Sequence, residues 1–164
     1  MELFKVKVGK SKILKNQKGL FATEDIPKKS PVFIFSLIKD LKIISEKEFN
    51  KSWTTKTPSK KDLVIRKSGV RYIGDLFLYG KPEHDKKSIY INHSDKPNLL
   101  YHCGICFAKK DIKNNDELTV DYRYFDTEKS DNFFNVETGN KLERYNSEEV
   151  FIKSTQELLR LLKF

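Results

Sequence analysis

Short apolar segments separated by polar turns recur along most of the chain and restrict the folds open to it. LFKVKV at residues 3–8 alternates apolar and polar side chains, the period of a half-buried strand. Further β-rich segments are GLFA, the apolar stretch at 32–38, YIGDLFLY at 72–79, IYIN, LLYHCGICFAKK and ELTVDYRYF at 117–125. Short strands joined by tight turns predict a mostly β fold of the β-rich α+β class.

Two segments of the chain echo each other. FATEDIPKKSPVF at 21–33 and FAKKDIKNNDELT at 107–119 share the pattern F-A-x-x-D-I, and each continues through a polar turn into the next apolar segment. We predict that both are strand–turn–strand units. The echo is too short to indicate a repeat architecture.

Two other regions favour helices. Residues 45–62 are more polar, and SEKEFNKSW is predicted to form a short helix. In the tail, Ser154 and Glu157 have the spacing of a capping box. The leucines that follow suit an amphipathic helix near 154–164 that docks on the body of the protein.

The length of the chain and its apolar segments restrict the number of domains and the expected cellular location. The 164 residues suit one domain, for which roughly 100–200 residues are usual. No run of about 18 apolar residues is present, which excludes a membrane-spanning helix. The start, MELFKVKVGK, lacks the apolar core of a secretion signal. The expected location is intracellular, in cytoplasm or nucleus, with a secreted effector as the open alternative.

The net charge of +9 favours acidic partners in general. The lysines are spread along the chain without a block of five or six like charges. Lysine also far outnumbers arginine, the residue on which base readout usually depends. Direct nucleic-acid binding therefore stays open without being indicated, and a solvated lysine-rich surface is the simpler interpretation.

The two cysteines, Cys103 and Cys106, lie in HCGIC and are too few for a disulfide framework. They could form a metal or redox pair with some of the three histidines, His84, His93 and His102. A second cysteine pair is lacking, and Gly104 suggests a hairpin turn. We therefore expect ordinary strand cysteines and no metal site.

YINHSDKPN at residues 90–98 places an amide, an imidazole and a hydroxyl side by side, on Asn92, His93 and Ser94. Neighbouring side chains on an extended segment point to opposite faces, so these three cannot form a catalytic triad among themselves. The segment can instead hold a polar ligand or fasten a crossing of two chain segments. Taken alone, a structural turn is the other interpretation.

Two further segments carry candidate site residues. If ELTVDYRYF is extended, Tyr122 and Tyr124 share one face, where their hydroxyls could orient an amine or a carbonyl. The alternative is an aromatic pair that packs the core. Gly19 in NQKGLFA allows close approach of the backbone to a ligand, or simply serves a turn.

Taken together and in this order, QKGLFATEDI, NHSDKPN and ELTVDY resemble the motifs of the SET-domain protein lysine methyltransferases. These motifs are a Gly-x-Gly before a GLFA-type strand, Asn-His-Ser-x-x-Pro-Asn, and Glu-Leu-Thr-x-Asp-Tyr. The likeness covers roughly residues 4–125. Gln17 stands where the first glycine usually is, and Asp95 replaces the cysteine common after Asn-His-Ser.

The resemblance implies several small twisted sheets, a C-terminal pseudoknot with Asn92 and His93 at the crossing, and here a terminal helix. It implies a SET domain at 1–125 with a variable insert at 44–88, followed by a C-terminal extension at 126–164. The zinc-binding cysteine cluster that follows the domain in many members is absent from this sequence.

The resemblance also implies an activity, the transfer of a methyl group from S-adenosylmethionine to a lysine amine of a protein, possible substrates being histones or histone-like proteins. The residues that would hold the cofactor are Lys18, Gly19, Leu20, Asn92, His93 and Tyr122. Tyr122 matches the catalytic tyrosine, and Tyr101 matches a position where a tyrosine limits the degree of methylation in some members. The expected substrate channel is lined by Tyr101, Val120, Tyr124, Phe133 and Phe134.

Two rival functions remain at this level. One is a small basic β-rich module that binds nucleic acid or an acidic protein. The other is a SET domain that has lost catalysis through Gln17 and serves as a scaffold. The methyltransferase interpretation differs from the binding module in its geometry, because it places Asn92 and Tyr122 at one pocket. The scaffold would keep the fold without the activity.

Overall fold

In the computed structural model, residues 2–35, 41–80, 87–125 and 145–163 are described. This part of the chain contains ten short strands and three α-helices. The strands are β1 Val6–Lys10, β2 Lys18–Ala22, β3 Pro31–Ile34, β4 Lys42–Ser45, β5 Val70–Ile73, β6 Leu76–Tyr79, β7 Asn92–His93, β8 Leu99–His102, β9 Ile105–Ala108 and β10 Glu117–Val120. The helices are α1 Glu46–Thr54, α2 Lys60–Ser68 and α3 Ser147–Leu162.

The strands form three small sheets, which confirms the predicted β-rich architecture. Their orders are β1-β2-β10-β7, β3-β9-β8 and β4-β6-β5. All pairings are antiparallel except that of β10 with β7. The late strand β10 therefore lies between β2 and β7, which brings three distant parts of the sequence side by side.

Two separate cores stabilise these sheets. The main core draws on the first two sheets and α3, with Leu20, Val32, Leu99 and Leu118 almost fully buried. The second lies where α1 and α2 pack on the β4-β6-β5 sheet, around Phe49, Ile65 and Phe77. The segment from Lys42 to Tyr79 thus has a sheet and a core of its own.

That segment is only partly as predicted. SEKEFNKSW forms α1, which begins after Ser45, whose hydroxyl accepts the Glu48 N–H. Helix α2 was not predicted, although Ser59 and Asp62 form a capping box at its start. YIGDLFLY contributes to the two strands β5 and β6, which reverse at Gly74 with a φ of +52°.

The terminal helix is longer than predicted and has a different N-cap. It starts at Ser147, where Asn146 and Glu149 form the capping box. Ser154 is not a cap but a buried residue in the middle of the helix. Its Oγ lies 2.9 Å from Nδ1 of His102. The helix docks on β8, but Leu159 and Leu162 are exposed, and Val150, Ser154 and Leu161 are the buried residues of this helix.

The two echoing segments contact each other. Ile26 and Ile112, the isoleucines of the two F-A-x-x-D-I patterns, exchange backbone hydrogen bonds of 2.8 and 2.9 Å. The Asp25 carboxylate accepts the Asn114 N–H, and the Asp111 carboxylate accepts the Lys28 N–H. Both segments are strand–turn–strand units, as predicted, and each aspartate stabilises the turn of the other.

Some element boundaries differ from the sequence-based predictions. The first strand lies at Val6–Lys10 rather than 3–8, and IYIN is a 3₁₀ turn followed by the two-residue strand β7. The apolar stretch at 32–38 is a strand only to Ile34, and its last residues lie outside the described part of the chain. None of the described helices is both long and apolar enough to span a bilayer.

Candidate active site

The site is built where β7 meets β10. Asn92 pairs with Thr119 and His93 with Val120 in parallel register, and the Ser94 N–H donates to the Val120 carbonyl at 3.0 Å. Beyond Leu118, β10 turns from β2 toward β7. This crossing is the part of the expected pseudoknot that brings the NHSDKPN and ELTVDY motifs together.

Asn92 fastens the crossing to β2. Its side-chain Nδ2 donates to the Lys18 carbonyl at 2.9 Å and to the Glu117 carboxylate at 2.9 Å, with the Ser11 hydroxyl at 3.3 Å. The residue is 6% exposed. These contacts occupy the amide nitrogen, and within the described residues the Asn92 Oδ1 atom receives no hydrogen bond.

His93 points to the other side of β7, as the alternation of an extended segment requires. Its Nδ1 accepts the Tyr122 N–H at 3.1 Å, which places the ring proton on Nε2. That Nε2 is buried, and among the described residues it has no hydrogen-bond partner, although Asp95 Oδ1 lies 3.4 Å away. The imidazole thus holds the backbone of Tyr122 in place.

Asn98, the last residue of the motif, pairs with the backbone of β10. Its Nδ2 donates to the Glu117 carbonyl at 2.8 Å, and its Oδ1 accepts the Thr119 N–H at 2.9 Å. A side chain therefore satisfies two backbone groups that a neighbouring strand would otherwise pair. YINHSDKPN is therefore a turn and also fastens the crossing of two chain segments.

Tyr122 follows β10 at the start of a 3₁₀ helix, Tyr122–Tyr124. Its hydroxyl donates to the Ile91 carbonyl at 2.6 Å. Burial raises the pKa of the phenol from 10.0 to about 12, so Tyr122 is a neutral hydrogen-bonding group at physiological pH. The Asp121 carboxylate fixes the turn, because it accepts the Arg123 N–H and pairs with the guanidinium at 2.6 Å.

The raised pKa of Tyr122 predicts a loss of stability in alkali. The unfolded phenol ionises near pH 10 and the folded one near pH 12, so the stabilising effect of burial is complete below pH 10 and is lost as the pH rises toward 12. One such tyrosine contributes about 1 kcal/mol to this loss at pH 11.

Urea titrations at pH 8 and pH 11 measure this loss of stability. Tyr122→Phe should reduce it but not abolish it, because burial also raises the pKa of Tyr101 and Tyr124. An equal loss in the variant and the wild type would show that Tyr122 titrates normally.

The prediction that Tyr122 and Tyr124 share a face is wrong. The chain leaves the extended conformation at Asp121, and in a 3₁₀ helix residues two apart point in different directions. Tyr124 turns to α3, where its hydroxyl donates to Glu157 Oε1 at 2.6 Å and its ring lies 5.5 Å from that of Tyr145. It is therefore on the helix side of the 3₁₀ turn rather than beside the Tyr122 hydroxyl.

Aromatic side chains continue from Tyr122 into the protein. The Phe125 ring lies 6.1 Å from that of Tyr122 and 4.2 Å from that of Tyr101, and Phe35 lies within 6.3 Å of both Phe125 and Tyr101. Tyr101 is almost fully buried, and burial holds its pKa well above the usual value. These four aromatic residues, Phe35, Tyr101, Tyr122 and Phe125, are called the aromatic cluster below.

The aromatic cluster is tied to the β4-β6-β5 sheet through the backbone of Arg71. The Tyr101 hydroxyl donates to the Arg71 carbonyl, and the Arg71 N–H donates to the Phe125 carbonyl at 3.0 Å. The Arg71 guanidinium is buried, donates to the Gly74 carbonyl at 3.0 Å and lies 4.9 Å from the Phe77 ring centroid. The β4-β6-β5 sheet therefore supports one side of the aromatic cluster.

The glycine motif has a conformation that tolerates Gln17. Gln17 does not have a positive φ, because the left-handed position of this loop is taken by Asn16 with a φ of 63°. The loop closes through the Ser11 N–H, which donates to the Gln17 carbonyl at 2.9 Å. The backbone thus gives no conformational reason for glycine at position 17.

The structure brings together most, but not all, of the residues predicted for the site. Lys18, Gly19, Asn92, His93 and Tyr122 lie at the crossing, and Tyr101 joins them through the aromatic cluster. Leu20 and Val120 are fully buried in the main core, and Leu20 pairs on both sides, with Val8 and Leu118. Tyr124 lies apart, and Phe133 and Phe134 fall outside the described residues.

Three contributors were missed in the sequence. Glu117 starts the ELTVDY motif and is buried beside Asn92, while Phe35 and Phe125 complete the aromatic cluster. No local signal in the sequence marks Glu117, because its burial depends on the position of β10 between β2 and β7.

The cysteines lie in and beside a hairpin turn. Cys103 and Gly104 both have positive φ, 45° and 83°, as a two-residue turn between β8 and β9 requires. Cys106 is buried in the main core, where burial raises the pKa of its thiol. Across the described ranges, no three His, Cys, Asp or Glu side chains are grouped so that they could hold a metal ion.

A comparison with protein-family models matches the SET domain over residues 17–123, which is more than half of the chain. The chain belongs to the SET-domain family. Members of the family are mostly protein lysine methyltransferases, and the family fold agrees with the small sheets and the β7–β10 crossing described above. A search of curated proteins gave no match.

Solved structures similar to this SET domain include histone methyltransferases. An apo ctPRC2 with substitutions in Ezh2 is 19% identical, with a TM-score of 0.50, over 98% of this chain and 22% of that one. A humanized mutant of the Chaetomium thermophilum Polycomb Repressive Complex 2, bound to an inhibitor, is 20% identical, with a TM-score of 0.48, over 98% and 22%. The methyltransferase domain of human Histone-lysine N-methyltransferase SETMAR is 23% identical, with a TM-score of 0.49, over 74% and 45%. The chain spans less than half the length of each, and at this identity the likeness concerns the fold alone.

Proposed function

We propose that this SET domain is an S-adenosylmethionine-dependent protein-lysine N-methyltransferase. The observation that carries the proposal is the meeting of three segments at one crossing. Lys18 and Gly19 come from β2, Asn92 and His93 from β7, and Tyr122 from the end of β10, and hydrogen bonds of 2.9 and 3.1 Å join them.

The polar groups at the crossing fit the proposed cofactor. His93 Nε2 is a buried donor without a hydrogen-bond partner among the described residues, and Asn92 Oδ1 is an acceptor that receives no donor from them. S-adenosylmethionine has adenine and carboxylate acceptors and an ammonium donor, so it could satisfy both. When bound, it would supply an activated methyl group on a sulfonium, while the protein orients the reactants.

In this proposal the aromatic cluster, which includes Tyr122, helps to deprotonate and align the substrate amine. Deprotonation of a free lysine at pH 7 costs about 4–5 kcal/mol, because its pKa is about 10.4. An apolar channel next to a cation lowers that pKa. Aromatic rings pack against the aliphatic stem of a lysine and attract a cationic head group. The neutral Tyr122 hydroxyl donates its proton to the Ile91 carbonyl and can accept a hydrogen bond from the amine, which aligns the amine for in-line transfer.

The alternative of a scaffold without activity loses its main support. It rested on Gln17 in place of a glycine, and the structure places the left-handed φ on Asn16 instead. Protein substrates with a target lysine, histones or histone-like proteins among them, are the proposed partners. Transfer of a labelled methyl group onto proteins of a cell lysate would identify the target.

Calorimetry with S-adenosylmethionine tests the proposal most directly. We expect saturable binding of one cofactor per chain, with methyl transfer to a lysine-containing protein in the same buffer. Asn92→Ala is the diagnostic variant, because it removes both the bond to Lys18 and the free Oδ1, and should weaken binding strongly. No heat of binding for the wild type at millimolar cofactor would contradict the proposal.

A further inference from the structure

A buried carboxylate, Glu117, lies at the centre of the crossing, and hydrogen-bond donors converge on it. Its Oε1 accepts from the Ser11 hydroxyl at 2.8 Å and from Asn92 Nδ2 at 2.9 Å, and its Oε2 accepts the Lys12 N–H at 2.6 Å. The residue is 7% exposed. A buried carboxylate is costly without such donors, so the three hydrogen bonds hold the Glu117 side chain in one position.

The loop of residues 11–17, called the cofactor loop below, takes its shape from this carboxylate. The Ser11 hydroxyl, which donates to Glu117, accepts the N–H groups of Ile13 and Leu14 at 3.1 and 2.9 Å. Glu117 thus reaches the loop directly at Lys12 and indirectly, through Ser11, at the next two residues. The same carboxylate holds Asn92, so it aligns the loop with β7.

Gly19 is explained by the same group. A Cβ atom at position 19 would lie 2.7 Å from the carboxylate carbon of Glu117, and closer still to Oε1. Gly19 has no positive φ, so glycine is required here for space rather than for backbone conformation. The motif glycine and the motif glutamate therefore form one steric unit.

We infer that Glu117 is the positioning residue that holds the cofactor loop and Asn92 in their binding arrangement. The inference rests on the proposed function, since it assigns a residue to the same cofactor site. Both carboxylate oxygens accept hydrogen bonds. In Glu117→Gln, either orientation of the new amide turns an NH₂ group toward a donor, so at least one of the three bonds is lost.

The test compares Glu117→Gln and Ser11→Ala with the wild type by calorimetry and by amide hydrogen exchange. We expect S-adenosylmethionine to bind Glu117→Gln about 10- to 100-fold more weakly, the effect of losing a charged hydrogen bond in a buried site. The KM for cofactor should rise in step while kcat at saturating cofactor changes little. Exchange at Lys12, Ile13 and Leu14 should accelerate. Ser11→Ala keeps the carboxylate and should show the same changes to a smaller degree.

Glu157→Gln is the matched control. Glu157 is a half-buried carboxylate that also accepts hydrogen bonds, from Tyr124 and Lys109, but it lies on α3. It should lower the melting temperature without changing the cofactor dissociation constant.

The outcomes separate the two proposals. Wild-type binding with unchanged affinity in both Glu117→Gln and Ser11→Ala would overturn the inference alone. No binding by the wild type would remove the proposed function, and the inference with it. If Glu117→Gln does not fold, Ser11→Ala decides, because it removes only the hydroxyl that links the carboxylate to the loop.

Discussion

Replacement of Tyr122 by phenylalanine is expected to leave the cofactor bound and to lower the rate of methyl transfer by about 100- to 1,000-fold. This is the usual effect of removing one oriented hydrogen-bonding group from an active site. The ring would keep its contacts with His93 and Phe125 at 5.5 and 6.1 Å. The hydroxyl would be lost, and with it the hydrogen bond to the Ile91 carbonyl. Single-turnover rates at saturating cofactor, with cofactor affinity from calorimetry, measure the two effects separately.

Tyr124→Phe is the informative comparison for Tyr122→Phe. The two tyrosines are two residues apart, and both hydroxyls make 2.6 Å hydrogen bonds, but that of Tyr124 goes to Glu157 on α3. We expect Tyr124→Phe to reduce stability and to change the rate only slightly. A large loss of rate in Tyr124→Phe, with little loss in Tyr122→Phe, would exchange the assigned roles and contradict the geometry.

The tyrosine pair also shows where prediction from the sequence ends. Alternation of side chains along an extended strand predicts one face for Tyr122 and Tyr124. The Asp121 side chain instead accepts the Arg123 N–H and starts a 3₁₀ helix. A single capping contact thus changed the direction of the second tyrosine. Hydrophobic period identifies a strand well, but it does not show where a local side-chain bond ends that strand.

The start of the terminal helix differs from the predicted start for a related reason. Ser154-x-x-Glu157 and Asn146-x-x-Glu149 have equivalent spacing, and either could begin a helix. Ser154 is buried beside His102, while Asn146 is exposed at the helix start. Packing against β8 therefore decided which signal became the N-cap, and packing partners 50 residues away are not visible in a local pattern.

The motifs themselves could be recognised in the sequence by their resemblance to the family, and in the structure three polar residues of NHSDKPN have partners in the other motifs. Asn92 contacts Lys18, His93 contacts Tyr122, and Asn98 contacts Glu117 and Thr119. The burial of Glu117 could not be read in the same way. It depends on the position of β10 between β2 and β7, which is a property of the tertiary structure.

Gly19→Ala should be the most damaging small substitution at the site. The added methyl group would overlap the Glu117 carboxylate, which cannot move away without releasing Ser11, Lys12 or Asn92. Overpacking together with an unsatisfied buried group predicts a loss of roughly 2–4 kcal/mol in the free energy of unfolding. The melting temperature of a chain this size should fall by roughly 5–15 °C, and cofactor binding should be lost.

Gly9→Ala is the matched control, because Gly9 lies directly opposite Gly19 in the β1–β2 pair. Its new methyl group would meet only the edge of the Phe21 ring, at 3.1 Å, and that ring can shift. We expect a small loss of stability and normal cofactor binding. A Gly19→Ala protein as stable as the wild type would contradict the steric explanation.

A double variant separates the overlap at Gly19 from any other effect of the alanine. In Glu117→Ala the carboxylate is gone, so adding Gly19→Ala should then cost much less stability than it does in the wild type, a coupling expected only of residues in contact. Cofactor binding should remain weak in the double variant, because relief of the overlap does not restore the three hydrogen bonds that hold Ser11, Lys12 and Asn92. Stability and binding would thus respond differently to the same pair of substitutions, as they must if Gly19 is needed for space and Glu117 for position.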